Sequence, residues 1–265
     1  MHFETNTLTI LHVIQPFCKG LCLYQPEEYF CTMKGLIWLF AGLIVWMTGC
    51  ELNSDNIRVF AYSFDFTTAS HGWDGDFADY PEGDSIFYEL KFKYDTLPRT
   101  NGNRKALLMS GKNHSDDLFM FIRKKLSGLK PNTEYRVLFN VRISSNVPTG
   151  NVGVGGAPGE SVFVKAGAVI AKPEKVLVDG FYSMNADIGS QSQAGADVLV
   201  IGNIGVAPTT TQFTEVYRNN NSANPFRVTT DSQGEVWILI GTDSGFEGTT
   251  TLYYTSIDIL FNQAD

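Results

Sequence analysis

The stretch Tyr135-Arg136-Val137-Leu138-Phe139-Asn140-Val141-Arg142-Ile143 sets Tyr135, Val137, Phe139, Val141 and Ile143 at every second position, against Arg136, Leu138, Asn140 and Arg142. That period of two is the repeat of an extended strand, whose side chains alternate between two faces. One face is apolar and the other mostly polar, so the strand is expected to cover a core on one side and meet water on the other. Working outward, Ile86 to Tyr94 shows the same alternation, with Ile86, Tyr88, Leu90, Phe92 and Tyr94 on the core face. Ile57 to Phe66 places Phe60, Tyr62, Phe64 and Phe66 on one side. Further strands are expected at 106–110, 118–126, 161–168, 176–185, 197–202, 212–217, 235–241 and 250–261, joined by segments rich in Gly, Asn, Pro and Ser. No amphipathic helix longer than about two turns is visible. About ten strands and no helix predict an all-β fold, a two-sheet antiparallel β-sandwich or jelly roll, as a single domain over 57–265.

Composition agrees. Of the 265 residues 43% are hydrophobic and 13% aromatic, with only 18% charged, which suits strands joined by turns rather than a disordered chain. The net charge of −8 excludes a general nucleic-acid binder, which needs Lys and Arg in surplus on one face. The one basic run, Arg123-Lys124-Lys125, reads as the exposed edge of a strand. All four cysteines, Cys18, Cys22, Cys31 and Cys50, precede the sandwich, so the folded part holds neither disulfide nor thiolate chemistry.

Before the sandwich, Lys34 is followed by an uncharged apolar run from Gly35 to Trp46, and Thr48-Gly49 stand before Cys50. That is the layout of a secretory signal peptide over 33–49. The run falls short of the roughly 20 apolar residues that span a ~30 Å hydrocarbon core, so cleavage is expected. Met47-Thr48-Gly49-Cys50 resembles the bacterial lipobox, which implies lipidation of Cys50, a tether over 50–56, and a domain held at a membrane but folded in water. Met33 is then the expected start. Residues 1–32 are an extension without readable chemistry, the alternative being a cytoplasmic segment ahead of a signal anchor.

Two segments carry a family resemblance. Leu126-Ser127-Gly128-Leu129-Lys130-Pro131-Asn132-Thr133-Glu134-Tyr135 resembles the loop-to-strand passage of carbohydrate-binding modules and other galactose-binding-like jelly rolls. Tyr135 would there form a tyrosine corner that ties down the preceding loop. The stretch from Gly234 to Ile259 is similar to the last two strands of the same modules, although it has the single Asp258 where a pair is usual. The resemblance implies glycan binding through aromatic platforms and one structural calcium.

Several residues are candidates for chemistry. The acidic loop from Asp74 to Asp84 could offer Asp74, Asp76 and Asp79 to calcium, which takes six to eight oxygens, although the spacing is not that of an EF-hand. Asp65 and Asp258, on the first and last strands, are a second candidate pair of calcium ligands. The cluster Asn113, His114, Asp116 and Asp117 supplies donors and acceptors for sugar hydroxyls or for acid–base work. Trp73 and Tyr80 are candidate sugar platforms, while Trp237 is expected in the core. The Gly-rich run from Gly150 to Glu160 lacks a phosphate-loop ending and reads as a flexible connection expected to help shape a binding face with Ser161 and Lys165.

Together these point to a non-catalytic, lipid-anchored envelope protein binding a glycan or another envelope component. One rival is a structural or adhesion subunit with a protein partner. The other is a polysaccharide-active enzyme, which requires His114, Asp116 and Asp117 to converge with Glu160 or Glu89.

Overall fold

A computed structural model describes residues 58–98 and 103–264; the expected signal peptide, Cys50, the tether and the 1–32 extension lie outside the described residues. In chain order the strands are β1 (Val59–Asp65), β2 (Asp74–Ala78), β3 (Tyr80–Pro81), β4 (Lys91–Thr96), β5 (Lys105–Lys112), β6 (Leu118–Leu126), β7 (Glu134–Ser145) and β8 (Val162–Val169). They continue as β9 (Lys175–Val178), β10 (Phe181–Met184), β11 (Val198–Asn203), β12 (Thr214–Asn219), β13 (Phe226–Thr229), β14 (Val236–Ser244) and β15 (Thr249–Gln263). There is no helix among the described residues. The fold is an all-β antiparallel sandwich, as the sequence pattern predicts.

Sheet A has seven strands. Its centre is the ladder between β7 and β15, which runs from Tyr135 opposite Gln263 to Ser144 opposite Tyr253. Both central strands are long enough to serve two neighbours on their other edges. β15 pairs first with β5 and then with β1, changing partner at a register shift between Tyr254 and Ser256. Such a shift bends and twists a strand locally. β7 pairs first with β13 and then with β12, and Asn220 fills the gap between them. Its side chain accepts from the Phe139 N–H (2.7 Å) and donates to the Val137 carbonyl (3.0 Å), as a backbone unit would.

Sheet B has the order β11-β8-β14-β6-β2, and a small third sheet the order β3-β10-β9. Strands β6, β8 and β14 alternate apolar side chains inward, so that Met120, Ile122, Val164, Ile238 and Ile240 face Tyr135, Phe139, Tyr254 and Ile257 of sheet A in one core. Burial of each such side chain is worth about 1.5–3 kcal/mol. The outer face of sheet B is covered as well. The 184–197 segment lays Ile188 over Phe119, Phe121, Leu239 and Val198. It comes so close to β8 that a Cβ on Gly167 would sit 1.9 Å from the Asp197 carbonyl oxygen, so only glycine fits there.

The tyrosine corner is present. The Tyr135 hydroxyl accepts the Lys130 N–H at 3.0 Å, and its ring meets Phe60 and Phe261 edge-on at 5.9 and 5.8 Å. Other expectations need correction. Ile86–Tyr94 is not one strand: the 84–90 segment is a set of hydrogen-bonded turns, with Tyr88 N–H to Asp84 O and Leu90 N–H to Ser85 O, and the strand starts only at Lys91. Positive φ at Gly83 and Glu89 breaks the extended path, so only Tyr88 of its first half reaches the core while Ile86 and Phe87 stand out.

Strand 176–185 is a hairpin, split by Asp179 and Gly180, both at positive φ. The acidic run 74–78 is strand β2. Arg123 is buried in β6 between β14 and β2, donating to Pro173 O (2.6 Å) and Asp74 (2.8 Å), and not on an exposed edge. Trp237 faces outward on β14 and is only half-buried.

Tyr135→Phe is expected to cost about 1 kcal/mol through the lost corner bond, and Tyr135→Ala about 3–5 kcal/mol through the cavity it leaves. Urea unfolding of the two variants gives both numbers, and a Tyr135→Phe variant as stable as the wild type would deny the hydroxyl its role.

Candidate functional site

At the end of the sandwich where β2 stops and β6 starts, five connections meet. The Ser115 hydroxyl donates to the Asp79 carbonyl (3.3 Å). The Gln191 side-chain amide donates to the Asp116 carbonyl (3.0 Å), and the Glu247 N–H to the Val154 carbonyl (2.9 Å). Gly155, at φ 72°, passes so close to the Gly245 carbonyl and the Asp116 carboxylate that a Cβ would meet them at 2.4 and 2.9 Å. The Gly-rich loop is therefore packed into this end. Asp79, Asp116 and Gln191 all hold positive φ, 62°, 61° and 47°. That backbone geometry is costly for non-glycine residues and is kept only where surrounding contacts impose it.

Beneath the loops lies a buried ion pair. Lys165 and Asp243, with 0% and 1% of their side chains exposed, stand 2.8 Å apart. The ammonium also donates to the carbonyls of Ile188 (2.6 Å) and Gln193 (3.1 Å), and the Gln191 N–H donates to the same Asp243 oxygen (2.9 Å). Lys165 thus fastens the 184–197 cover to sheet B and does not line a binding face as its place in the sequence suggests. The pairing matters because an unpaired buried charge is far more costly than a satisfied one.

Around this pair the carboxyls crowd one another. Burial, then the nearby Asp117 and Asp243, push the Asp79 carboxyl up to about 7, against the pull of Lys165. Burial, then Asp243 and Asp116, push Asp117 up to about 6. Burial also raises Asp243, opposed by Lys165 and the Gln191 amide. At neutral pH the cluster therefore holds part of its protons and offers both O–H donors and carboxylate acceptors.

Beside it the His114 ring stacks on Phe87 at 4.0 Å with a 17° interplanar angle, and meets Tyr88 edge-on at 5.2 Å. Phe87 is 59% exposed, which leaves the pair a wet aromatic face. Among the described residues no hydrogen bond reaches the buried His114 Nε2 or Asp116 Oδ1.

The sequence candidates divide accordingly. His114, Asp116 and Asp117 come together here. Asn113 is buried and structural: it donates to the carbonyls of Ser244 (2.7 Å) and Phe246 (3.0 Å) and accepts from the Ser115 N–H (3.1 Å). Trp73, 4% exposed, is walled in by Phe64 and Phe66 and shows no face to a ligand. Tyr80 is 2% exposed, with the Lys175 ammonium on its hydroxyl (2.9 Å).

The carboxylates of the acidic run are engaged within the fold. Asp74 pairs with Arg123 (2.8 Å) and Asp76 with Lys175 (3.1 Å), while Asp79 turns to the cluster. Asp65 and Asp258 both face outward on the β1–β15 ladder but sit opposite Ser256 and Ser63. Asp65 accepts from the Thr67 N–H (2.9 Å) and Asp258 from the Ser63 hydroxyl (2.5 Å). No three His, Cys, Asp or Glu side chains among the described residues are grouped so that they could hold a metal ion. Of the expected extra acids, Glu160 takes the Gly150 N–H (2.6 Å) and Glu89 lies by Lys112. The acids that do join are Asp79 and Asp243. A polar Thr-Asp-Ser run ending the apolar strand β14 is the one sequence sign of the latter.

No protein-family model matches the chain, and no curated protein matches it in sequence. Among solved structures the chain is weakly similar to carbohydrate-binding modules. A module that recognises mannan is 16% identical with a TM-score of 0.38, over 77% of this chain and 98% of that one. A module specific for non-crystalline cellulose is 12% identical with a TM-score of 0.29, over 71% and 86%. The K1 cleaved adhesin domain of Lys-gingipain from Porphyromonas gingivalis W83 is 11% identical with a TM-score of 0.34, over 78% and 99%.

The raised carboxyls make stability depend on pH. An unfolded-chain Asp titrates near 3.9, so between pH about 4 and 7 the folded state binds more protons than the unfolded one. Stability is expected to fall as pH rises through that window and to level off above it. Urea midpoints across the window will show the slope, and Asp79→Asn will flatten it; a wild-type profile that rises instead would refute the cluster.

Proposed function

We propose that this protein is an exported lipoprotein, anchored through Cys50, whose loop end binds a saccharide without cleaving it. The observation that carries the binding reading is the exposed Phe87–His114 stack beside the crowded acids Asp79, Asp116 and Asp117. A sugar ring has an apolar C–H face and a rim of hydroxyls. The aromatic stack suits the face, and the raised Asp79 and Asp117 suit the rim because a carboxyl donates when protonated and accepts when ionised. The anchor rests on the apolar run 35–46 followed by Met47-Thr48-Gly49-Cys50. Lipid on one terminal residue, attached through a polar tether, would leave the sandwich in water. The matching partner is a polysaccharide of the envelope or its surroundings.

One observation favours a second reading. Carboxyls near 6 and 7 are poised as a general acid must be, so polysaccharide cleavage by Asp117 and Asp79 is the rival.

The deciding experiment is thermal unfolding of the full chain in detergent against a panel of polysaccharides and short sugars, with reducing ends assayed in the same samples. A sugar at a hundred times its dissociation constant should stabilise by about 2.7 kcal/mol, or roughly 5–10 °C. Phe87→Ala should abolish that shift and leave the sugar-free midpoint in place, because the ring is mostly exposed. Release of reducing ends would favour the enzyme. No shift with any sugar would sink both readings and favour a protein partner. Separately, incorporation of a labelled fatty acid should be seen in the wild type and lost in Cys50→Ala.

A further inference from the structure

The β9–β10 hairpin carries an unusual edge. Its two-residue turn, Asp179-Gly180, has φ of 50° and 79°, which suits the twist of two antiparallel strands. Glu174, just before β9, turns both backbone groups toward the β10 side: its carbonyl accepts the Asn185 N–H (3.1 Å) and its N–H donates to the Asn185 side chain (2.9 Å). In an antiparallel ladder this orientation alternates along the strand. Val176 and Val178 therefore bond to β10, while the N–H and C=O groups of Lys175 and Leu177 point to the far edge. The sheet order β3-β10-β9 leaves that edge without a partner strand among the described residues.

Soluble proteins usually blunt such an edge with charge. β4, at the margin of sheet A, does so with exposed Lys91, Lys93 and Asp95. β9 instead shows Val176, Leu177 and Val178, which are 38%, 47% and 55% exposed. An edge that is both hydrogen-bond-competent and apolar is a template for strand addition.

We propose that two copies of this chain pair through β9, antiparallel about a two-fold axis at Leu177, so that two three-stranded sheets become one of six. Charge complementarity selects the occupant. With Leu177 on the axis, Val176 faces Val178 of the partner subunit, and Lys175 faces Asp179 of the partner subunit at both ends. Lys175 and Leu177, whose backbone groups point outward, then stand opposite Asp179 and Leu177 of the partner subunit. Sliding the register by two residues either way sets Asp179 against Pro173 or Leu177 and breaks both charge pairs. Lys175 already serves Asp76 (3.1 Å) and the Tyr80 hydroxyl (2.9 Å), which leaves its third N–H for Asp179. The interface is isologous, as a closed dimer requires.

The test is sedimentation velocity of the full chain in detergent over a micromolar range of concentration. The wild type should pass from monomer to dimer as concentration rises. Leu177→Pro removes an outward N–H from each copy and none of the β9–β10 bonds, so it should raise the dissociation constant by about tenfold or more with an unchanged thermal midpoint. Leu177→Lys, which sets like charges on the axis at an exposed position, should do the same and covers the case that proline disturbs the hairpin. Asp179→Asn keeps the positive-φ turn and should weaken the dimer severalfold. A wild type that stays monomeric throughout, or a dimer that both Leu177 variants leave intact, overturns the proposal. Neither result depends on whether the loop end binds sugar.

Discussion

The sandwich depends on the pairing of β7 with β15. Each of these strands is longer than its outer neighbours, so one ladder supports β5 and β1 on one side and β12 and β13 on the other. The inward row of β7, from Tyr135 to Ile143, lies in the core against the inward row of β15, from Tyr254 to Phe261. Because side chains alternate with period two, a slip of one residue in this ladder would turn both rows outward at once. Two devices hold the register. The Tyr135 corner ties the start of β7 to its entering loop, and the Asn220 side chain completes the backbone bonds where β12 gives way to β13.

A second constraint acts on the other sheet. The outer face of sheet B is too apolar to stand in water, and the 184–197 segment that covers it has no strand of its own to hold it there. Lys165 supplies the attachment by offering one buried ammonium to two carbonyls of the cover and to Asp243. This arrangement concentrates negative charge at the loop end. Asp243 is paired, whereas the half-buried Asp79 and the exposed Asp117 have no cation of their own among the described residues and are pushed up by burial and by neighbouring carboxylates. The electrostatic character of the candidate site is in part a by-product of fastening the cover.

The fold was legible because strands with one wet face print their geometry in the order of residues. β1, β5, β6, β7, β8, β11, β12, β14 and β15 all fall where alternation or apolar runs indicate. The segment 86–94 misled because a tight turn with one buried tyrosine and a strand can share the same alternation; only the positive φ at Glu89 separates them. β2 was hidden by its charges. Asp74 and Asp76 look like loop residues until Arg123 and Lys175, distant in sequence, are seen to pair with them. The site was half legible. His114, Asp116 and Asp117 are neighbours in the chain, whereas Asp79, Asp243, Lys165 and Phe87 reach the same end only through sheet pairing. Single-residue preference also fails for Trp73, since a tryptophan near polar residues fits a platform or a core equally well, and contacts with Phe64 and Phe66 decide the matter.

The position of β15 in sheet A bears on when this protein can fold. It is the last strand of the sandwich in chain order and lies at the middle of its larger sheet, so β1, β5 and β7 have no common partner until it has been made. β1 meets it across nearly the whole length of the domain, and contacts of such long sequence separation form slowly. A nascent chain would lack the strand that closes sheet A. Until β15 has been made, sheet A has its outer strands but not the ladder that joins them, and of the two large sheets only sheet B has its full set of strands.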